Sequence, residues 1–102
     1  METERRHYPR RHMVLEVRSE DLEQSDLRTT DISLGGCYIE TMGHVTVGDQ
    51  IVFQIRLPRG DWTLLQGVVV YHHQAMGFGL RYTDLTEEQR SVLTQLIEGT
   101  GS

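Results

Sequence analysis

The amino-acid sequence predicts an all-β domain, a small antiparallel barrel of six strands with one α-helix at its C-terminal end. Three observations carry this expectation. Apolar and polar residues alternate along six short segments. Clusters of Gly, Pro, Asp and Ser punctuate the chain between those segments. Only the stretch from Thr86 to Glu98 changes to the period of an amphipathic helix. A chain of 102 residues fits one such domain, whose core suffices for folding without metals or disulfides.

Residues 1–12 lack periodicity and read as an exposed arm, in which Pro9 disfavours a regular helix. The first strand is expected at Met13 to Arg18, with Met13, Leu15 and Val17 on one face and Glu16 and Arg18 on the other. Glu20 to Ser25 is a polar turn. Leu27 to Asp31 is the second strand, Ser33 to Gly36 a turn, and Cys37 to Thr41 the third strand, with Cys37 and Ile39 sharing a face. Gln50 to Leu57 alternates most clearly: Ile51, Phe53, Ile55 and Leu57 oppose Gln50, Gln54 and Arg56, and only Val52 breaks the polar side. Pro58-Arg59-Gly60-Asp61 makes a hairpin loop. Trp62 to His73 is a long strand in which Gly67 marks a bulge or a barrel corner. Gly77 to Tyr82 is the last strand, with Phe78, Leu80 and Tyr82 on one face. In the helix, Thr86 and Gln89 form a capping box, and Glu87 and Glu88 complement the helix dipole. Val92, Leu93, Leu96 and Ile97 make the apolar stripe that packs on the barrel, and Gly99 ends the helix.

The net charge of −5 argues against a non-specific binder of nucleic-acid polymers. The distribution of charge says more than its sum. All ten basic residues are arginine, and four of them (Arg5, Arg6, Arg10 and Arg11) fall near the N-terminus. Arginine suits planar, bidentate recognition of phosphates and purine edges, where lysine supplies mainly a point charge. An acidic body with a local arginine cluster therefore points to a discrete anionic ligand. The single cysteine, Cys37, excludes an internal disulfide, and a reducing cytoplasmic setting is expected. Neither a signal peptide nor a run long enough for membrane insertion is visible.

Two motifs stand in order. Arg6-His7-Tyr8-Pro9-Arg10 is an Arg-x-x-x-Arg stretch, and Asp31-Ile32-Ser33-Leu34-Gly35-Gly36 is an Asp-x-Ser-x-x-Gly segment. With them the sequence resembles the PilZ family of cyclic di-GMP receptors. Three further stretches are similar to family strands and turns: Gly36-Cys37-Tyr38-Ile39-Glu40-Thr41, Val47-Gly48-Asp49 and Gly77-Phe78-Gly79-Leu80-Arg81-Tyr82. The resemblance spans roughly residues 5–98. It implies a PilZ-like barrel with its helix over residues 13–98, a ligand-binding arm over 1–12 and a tail over 99–102. It implies cyclic di-GMP as the ligand, with no cofactor, and a downstream protein partner in motility, biofilm, exopolysaccharide or virulence control. By the same resemblance, Arg6 and Arg10 take phosphate and guanine contacts. Asp31, Ser33 and Gly36 take the other guanine contacts, with Gly35 beside them in the ligand-binding set. Arg5 occupies the position that influences whether one ligand or a stacked pair is bound.

The chemistry of these residues agrees with that ligand. A guanidinium reaches guanine O6 and N7 in bidentate fashion, stacks on a base, or grips a phosphate oxygen. A carboxylate such as Asp31 accepts from the guanine Watson–Crick edge, and the Ser33 hydroxyl donates or accepts. Gly36 permits either a positive-φ turn or a close approach of the ligand to the main chain.

Blander readings stand beside these. Terminal arginines are usually solvated, and Asp-x-Ser before Gly-Gly is often an ordinary turn whose side chains bond local amides. Adjacent His72 and His73 point to opposite faces of a strand, so a metal site is not expected. Trp62 reads as packing and Cys37 as a small buried hydrophobe. No nucleophile, base and orienting group stand at a recognisable spacing, so an enzyme is not expected. The main alternative is a nucleotide-independent protein interaction module, followed by a small barrel that binds RNA or single-stranded DNA through its arginines.

Overall fold

The computed structural model describes residues 9–23 and 26–99. Its elements in chain order are β1 (Arg11–His12), β2 (Glu16–Arg18), β3 (Leu27–Ile32), β4 (Gly36–Glu40), β5 (Gln50–Arg56), β6 (Trp62–His73), β7 (Gly77–Tyr82) and α1 (Glu87–Glu98). The strands pair antiparallel in the order β1-β3-β2-β5-β6-β7-β4, and β4 returns to pair with β3. Strands β3, β2, β5, β6, β7 and β4 therefore close a six-stranded barrel, with β1 as an extra strand beside β3. This is the expected barrel and terminal helix. Closure removes the exposed sheet edges that an open sheet of this size would carry.

The alternation read from the sequence is the alternation of the barrel wall. Ile51, Phe53 and Ile55 point inward from β5 and are buried, while Val52 between them is exposed. Phe78, Leu80 and Tyr82 line the interior from β7, and Ile39, Leu65, Val69 and Ile32 fill the rest. Leu93 and Leu96 of α1 complete the core. The capping box forms as expected: Thr86 Oγ1 accepts from the Gln89 amide at 3.0 Å, and Gln89 Oε1 accepts from the Thr86 amide at 2.8 Å. Gln89 Nε2 also donates to the Leu64 carbonyl at 2.7 Å, which ties the helix to β6. Gly99 takes the left-handed conformation that ends the helix, φ 67°.

The structure corrects the sequence reading in two places. The first expected strand is interrupted at Met13–Leu15 by the side chain of Thr29, which is fully buried. The Thr29 hydroxyl accepts from the Leu15 amide at 2.9 Å and donates to the Met13 carbonyl at 2.8 Å, taking the place of backbone ladder partners. Pairing on either side of the break yields β1 and β2, so Arg11 and His12 extend the barrel wall. The irregularity in β6 lies between Val69 and Tyr71, beyond Gly67. Gly67 serves instead for close approach: a Cβ there would stand 2.6 Å from the Arg81 carbonyl oxygen of β7.

Arg11 has a structural role that the sequence left open. Its Nη1 donates to the Leu96 and Ile97 carbonyls at 3.1 and 3.4 Å, at the C-terminal end of α1. The last helical turn has no basic residue of its own, so Arg11 supplies the cation that satisfies these carbonyls and the helix dipole. No helix among the described residues is long and apolar enough to cross a membrane.

Candidate functional site

The turn between β3 and β4 is organised by one buried hydroxyl. Ser33 Oγ accepts from the Gly35 and Gly36 amides at 3.1 and 3.2 Å, and the Ser33 amide donates to the Gly36 carbonyl at 2.8 Å. The turn is thus bonded to itself, as the plain reading of Asp-x-Ser-Gly-Gly expects, and it is rigid before any ligand arrives. The Gly35 carbonyl accepts from the Tyr82 amide at 3.0 Å, which docks the turn on β7.

Gly36 owes its lack of a side chain to that docking. A Cβ there would stand 1.9 Å from the Leu80 carbonyl oxygen. Of the two explanations open from sequence, positive φ does not apply: the positive-φ glycines among the described residues are Gly48, Gly60 and Gly99. What excludes a side chain here is the backbone of β7, a neighbour the sequence reading did not foresee.

Asp31 lies near the end of β3, opposite His12 of β1 and Tyr38 of β4. Its Oδ1 accepts from Arg10 Nη1 at 2.5 Å. The β1–β3 register places Arg10 there, because Arg11 faces Ile32 and the chain enters β1 from Arg10. The pair is largely open to water, with 56% of the Arg10 side chain and 30% of the Asp31 side chain exposed, so it contributes at most about 1 kcal/mol to stability. Among the described residues, Arg10 spends one N–H on this pair.

A cleft of about 610 Å³ opens beside this turn. Arg10 and the Ser33–Gly36 backbone line one side, and Leu80, Arg81 and Tyr82 of β7 line the floor. Val70, Asp84, Leu85 and Arg90 of α1 complete the wall. Its size falls within the range of small-molecule sites. Beneath the floor, burial pushes the Cys37 thiol up to about 12. Burial also raises the Tyr82 hydroxyl well above its usual range, and Cys37 beside it adds to the shift. Both groups are neutral at ordinary pH, and Cys37 is the small buried hydrophobe expected of it.

The structure therefore brings five of the expected residues to one rim. Arg10, Ser33, Gly35 and Gly36 line the cleft, and Asp31 holds Arg10 at its edge. Arg5 and Arg6 lie outside the described residues. Sequence reasoning missed Arg81 and Arg90 as lining residues. The alternation in Gly77–Tyr82 already placed Arg81 on the outer face, but the cleft exists only where β7, the β3–β4 turn and α1 meet. Elsewhere, His72 packs edge-on to His44 with ring centroids 5.4 Å apart, and His73 Nδ1 meets the Tyr38 hydroxyl at 3.1 Å. No three metal-ligating side chains gather among the described residues. Trp62 serves as packing, with the Arg18 guanidinium 3.8 Å above its ring.

Comparison with known proteins places this geometry. A family model described as PilZ domain matches residues 4–99. Among solved structures, the Bacillus subtilis inhibitor of motility MotI/DgrA superposes with a TM-score of 0.78 at 21% identity, over 95% of this chain and 51% of that one. The chain thus spans about half the length of that protein. The PilZ domain of YcgR from Escherichia coli, solved with c-di-GMP, gives a TM-score of 0.74 at 15% identity, over 93% of this chain and 90% of that one. The PilZ domain of CeSA from a cellulose-synthesizing bacterium gives 0.65 at 17% identity, over 91% and 98%. At these identities the likeness is one of fold. No curated protein sequence matches the chain.

Proposed function

The chain belongs to the PilZ domain family, whose members are typically cyclic di-GMP receptors, and on that premise we propose that it binds cyclic di-GMP and thereby regulates a protein partner. One observation carries the reading: Arg10 of the first motif bonds Asp31 of the second, 21 residues later, and Arg10 and the Ser33–Gly36 turn line a single cleft.

In this reading the Arg10 guanidinium donates to a phosphate oxygen or to guanine O6 and N7. Asp31 orients Arg10 and offers its other carboxylate oxygen to guanine N–H groups. Ser33 acts through the turn it holds, and the Gly35–Gly36 backbone presents a close, flat surface to the ligand. Arg6 completes the donor set, and Arg5 governs whether one ligand or a stacked pair is bound. Contact of these N-terminal arginines with the ligand changes the surface that a partner meets. The domain is a binding module, and its output is this change of surface.

Calorimetric titration of the chain with cyclic di-GMP tests the reading. Micromolar or tighter binding is expected, about 8 kcal/mol or more. Arg10→Ala and Arg6→Ala abolish the heat while circular dichroism stays unchanged, because the Arg10–Asp31 pair is solvent-exposed. No heat from the unaltered protein at high ligand concentration overturns the proposal.

A further inference from the structure

Eight arginines lie among the described residues, and six of them are engaged within the fold. Arg10, Arg28, Arg56 and Arg59 form ion pairs, Arg18 bonds Gln54, and Arg11 holds the end of α1. Arg81 and Arg90 make no ion pair or side-chain hydrogen bond among the described residues, and both line the same cleft. One solvated arginine is ordinary. Two outside any ion pair on one concave surface, with Arg10 as a third, give that surface a positive potential that favours an anion.

Their placement follows from the fold. Arg81 stands directly opposite Gly36 in the β4–β7 ladder, and opposed residues share a face of the sheet. Gly36 offers no side chain there, so the surface beside the Arg81 stem is bare backbone of the motif turn. Arg90 comes from the first turns of α1, on the wall of the cleft. Asp84 also lines the cleft, where its Oδ2 accepts from Gln66 Nε2 at 3.2 Å, so one carboxylate stands among three guanidinium groups. Arg10, Arg81 and Arg90 thus reach the cavity from three separate elements, and the motif-borne cation accounts for only one of them.

We propose that Arg81 and Arg90 form a second cationic subsite that binds a phosphodiester group of the cyclic dinucleotide, separate from the group met by Arg10. This rests on the cyclic di-GMP reading above and adds residues that neither motif contains. A ligand with two phosphates in one ring suits cations on separate walls, each neutralising one group, and two arginine forks recognise phosphate oxygens by direct hydrogen bonds.

The test is calorimetric titration of the full chain with cyclic di-GMP, at low and high salt, using Arg81→Gln, Arg90→Gln, the double variant and Arg59→Gln. Arg59 pairs with Asp61 in a distant hairpin loop and reports any general effect of lost charge. Each cleft variant is expected to raise Kd about tenfold, which corresponds to about 1.4 kcal/mol. The double variant shows a weaker salt dependence, and Arg59→Gln binds like the unaltered protein. Melting temperatures stay the same, since neither cleft side chain has an ion-pair or hydrogen-bond partner among the described residues. If the unaltered protein binds and both single variants bind equally well, the subsite is refuted and the receptor reading stands. An equal loss in Arg59→Gln also refutes it. If the unaltered protein does not bind, the receptor reading fails and the subsite falls with it.

Discussion

Gly36→Ala separates a structural demand of the barrel from a demand of the ligand. The new Cβ would lie 1.9 Å from the Leu80 carbonyl oxygen, 3.0 Å from the Leu80 carbonyl carbon and 3.2 Å from the Arg81 Cα. All three are backbone atoms, so no side-chain rotation relieves the clash. Moving the oxygen to 3.0 Å, the practical limit for a Cβ contact, requires β4 and β7 to part by about 1.1 Å. The Tyr82 amide to Gly35 carbonyl bond, now 3.0 Å, then leaves hydrogen-bond range. The adjoining ladder is strained, and the Cys37 and Leu80 side chains lose contact in the core. At about 1 kcal/mol for each lost backbone bond plus the loosened packing, the total comes to about 2–4 kcal/mol. For a domain of this size that lowers Tm by roughly 10–25 °C. Thermal and urea unfolding followed by circular dichroism measure it directly. A variant that melts within about 3 °C of the unaltered protein refutes the reasoning. If such a variant also lost ligand binding, the glycine would belong to the ligand and not to β7.

Two further outcomes follow from buried groups. Thr29→Val keeps the shape of the side chain but removes the hydroxyl that joins Met13 to Leu15, leaving a buried amide without its partner. A loss of about 1–3 kcal/mol in urea unfolding is expected, and an unchanged midpoint would show that the hydroxyl is dispensable. The second outcome concerns alkaline pH. Burial raises the Cys37 thiol from 9.0 to about 12 in the folded chain, so its stabilising contribution is complete below about pH 9 and is lost as pH rises through 12. Each pH unit in that window removes up to about 1.4 kcal/mol. Tyr82, raised by burial as well, steepens the loss above its ordinary value of 10.0. Unfolding midpoints measured across this window should fall, and Cys37→Ala should flatten the decline; equal slopes for both proteins would contradict it.

Much of the barrel was legible because its chemistry is local. Residues 50–56 bury every second side chain, and that period-2 pattern needs no knowledge of neighbouring strands to be seen. The capping box at Thr86 and Gln89 is likewise a contact between residues three apart. The interruption at Met13–Leu15 was not legible, because it comes from Thr29, fourteen or more residues away in sequence. A threonine in a strand normally contributes a β-branched side chain to packing, and only the β2–β3 approach turns its hydroxyl into a ladder partner. The same holds for Arg11, whose partners are the carbonyls of Leu96 and Ile97 at the far end of the chain.

For the candidate site the division is similar. The sequence by itself determined which residue types carry the chemistry: a cluster of arginines, an aspartate and a serine-glycine turn whose bonding is almost wholly internal. Ser33 reaches the Gly35 and Gly36 amides within three residues, so that turn was settled locally. Tertiary structure decided what these parts surround. Barrel closure brings β4 against β7, which explains Gly36 and sets Arg81 beside it, and helix packing brings Arg90 to the opposite wall. A cleft is a property of surfaces that meet, and the separations involved, from Arg10 to Arg90, leave no periodic trace along the chain.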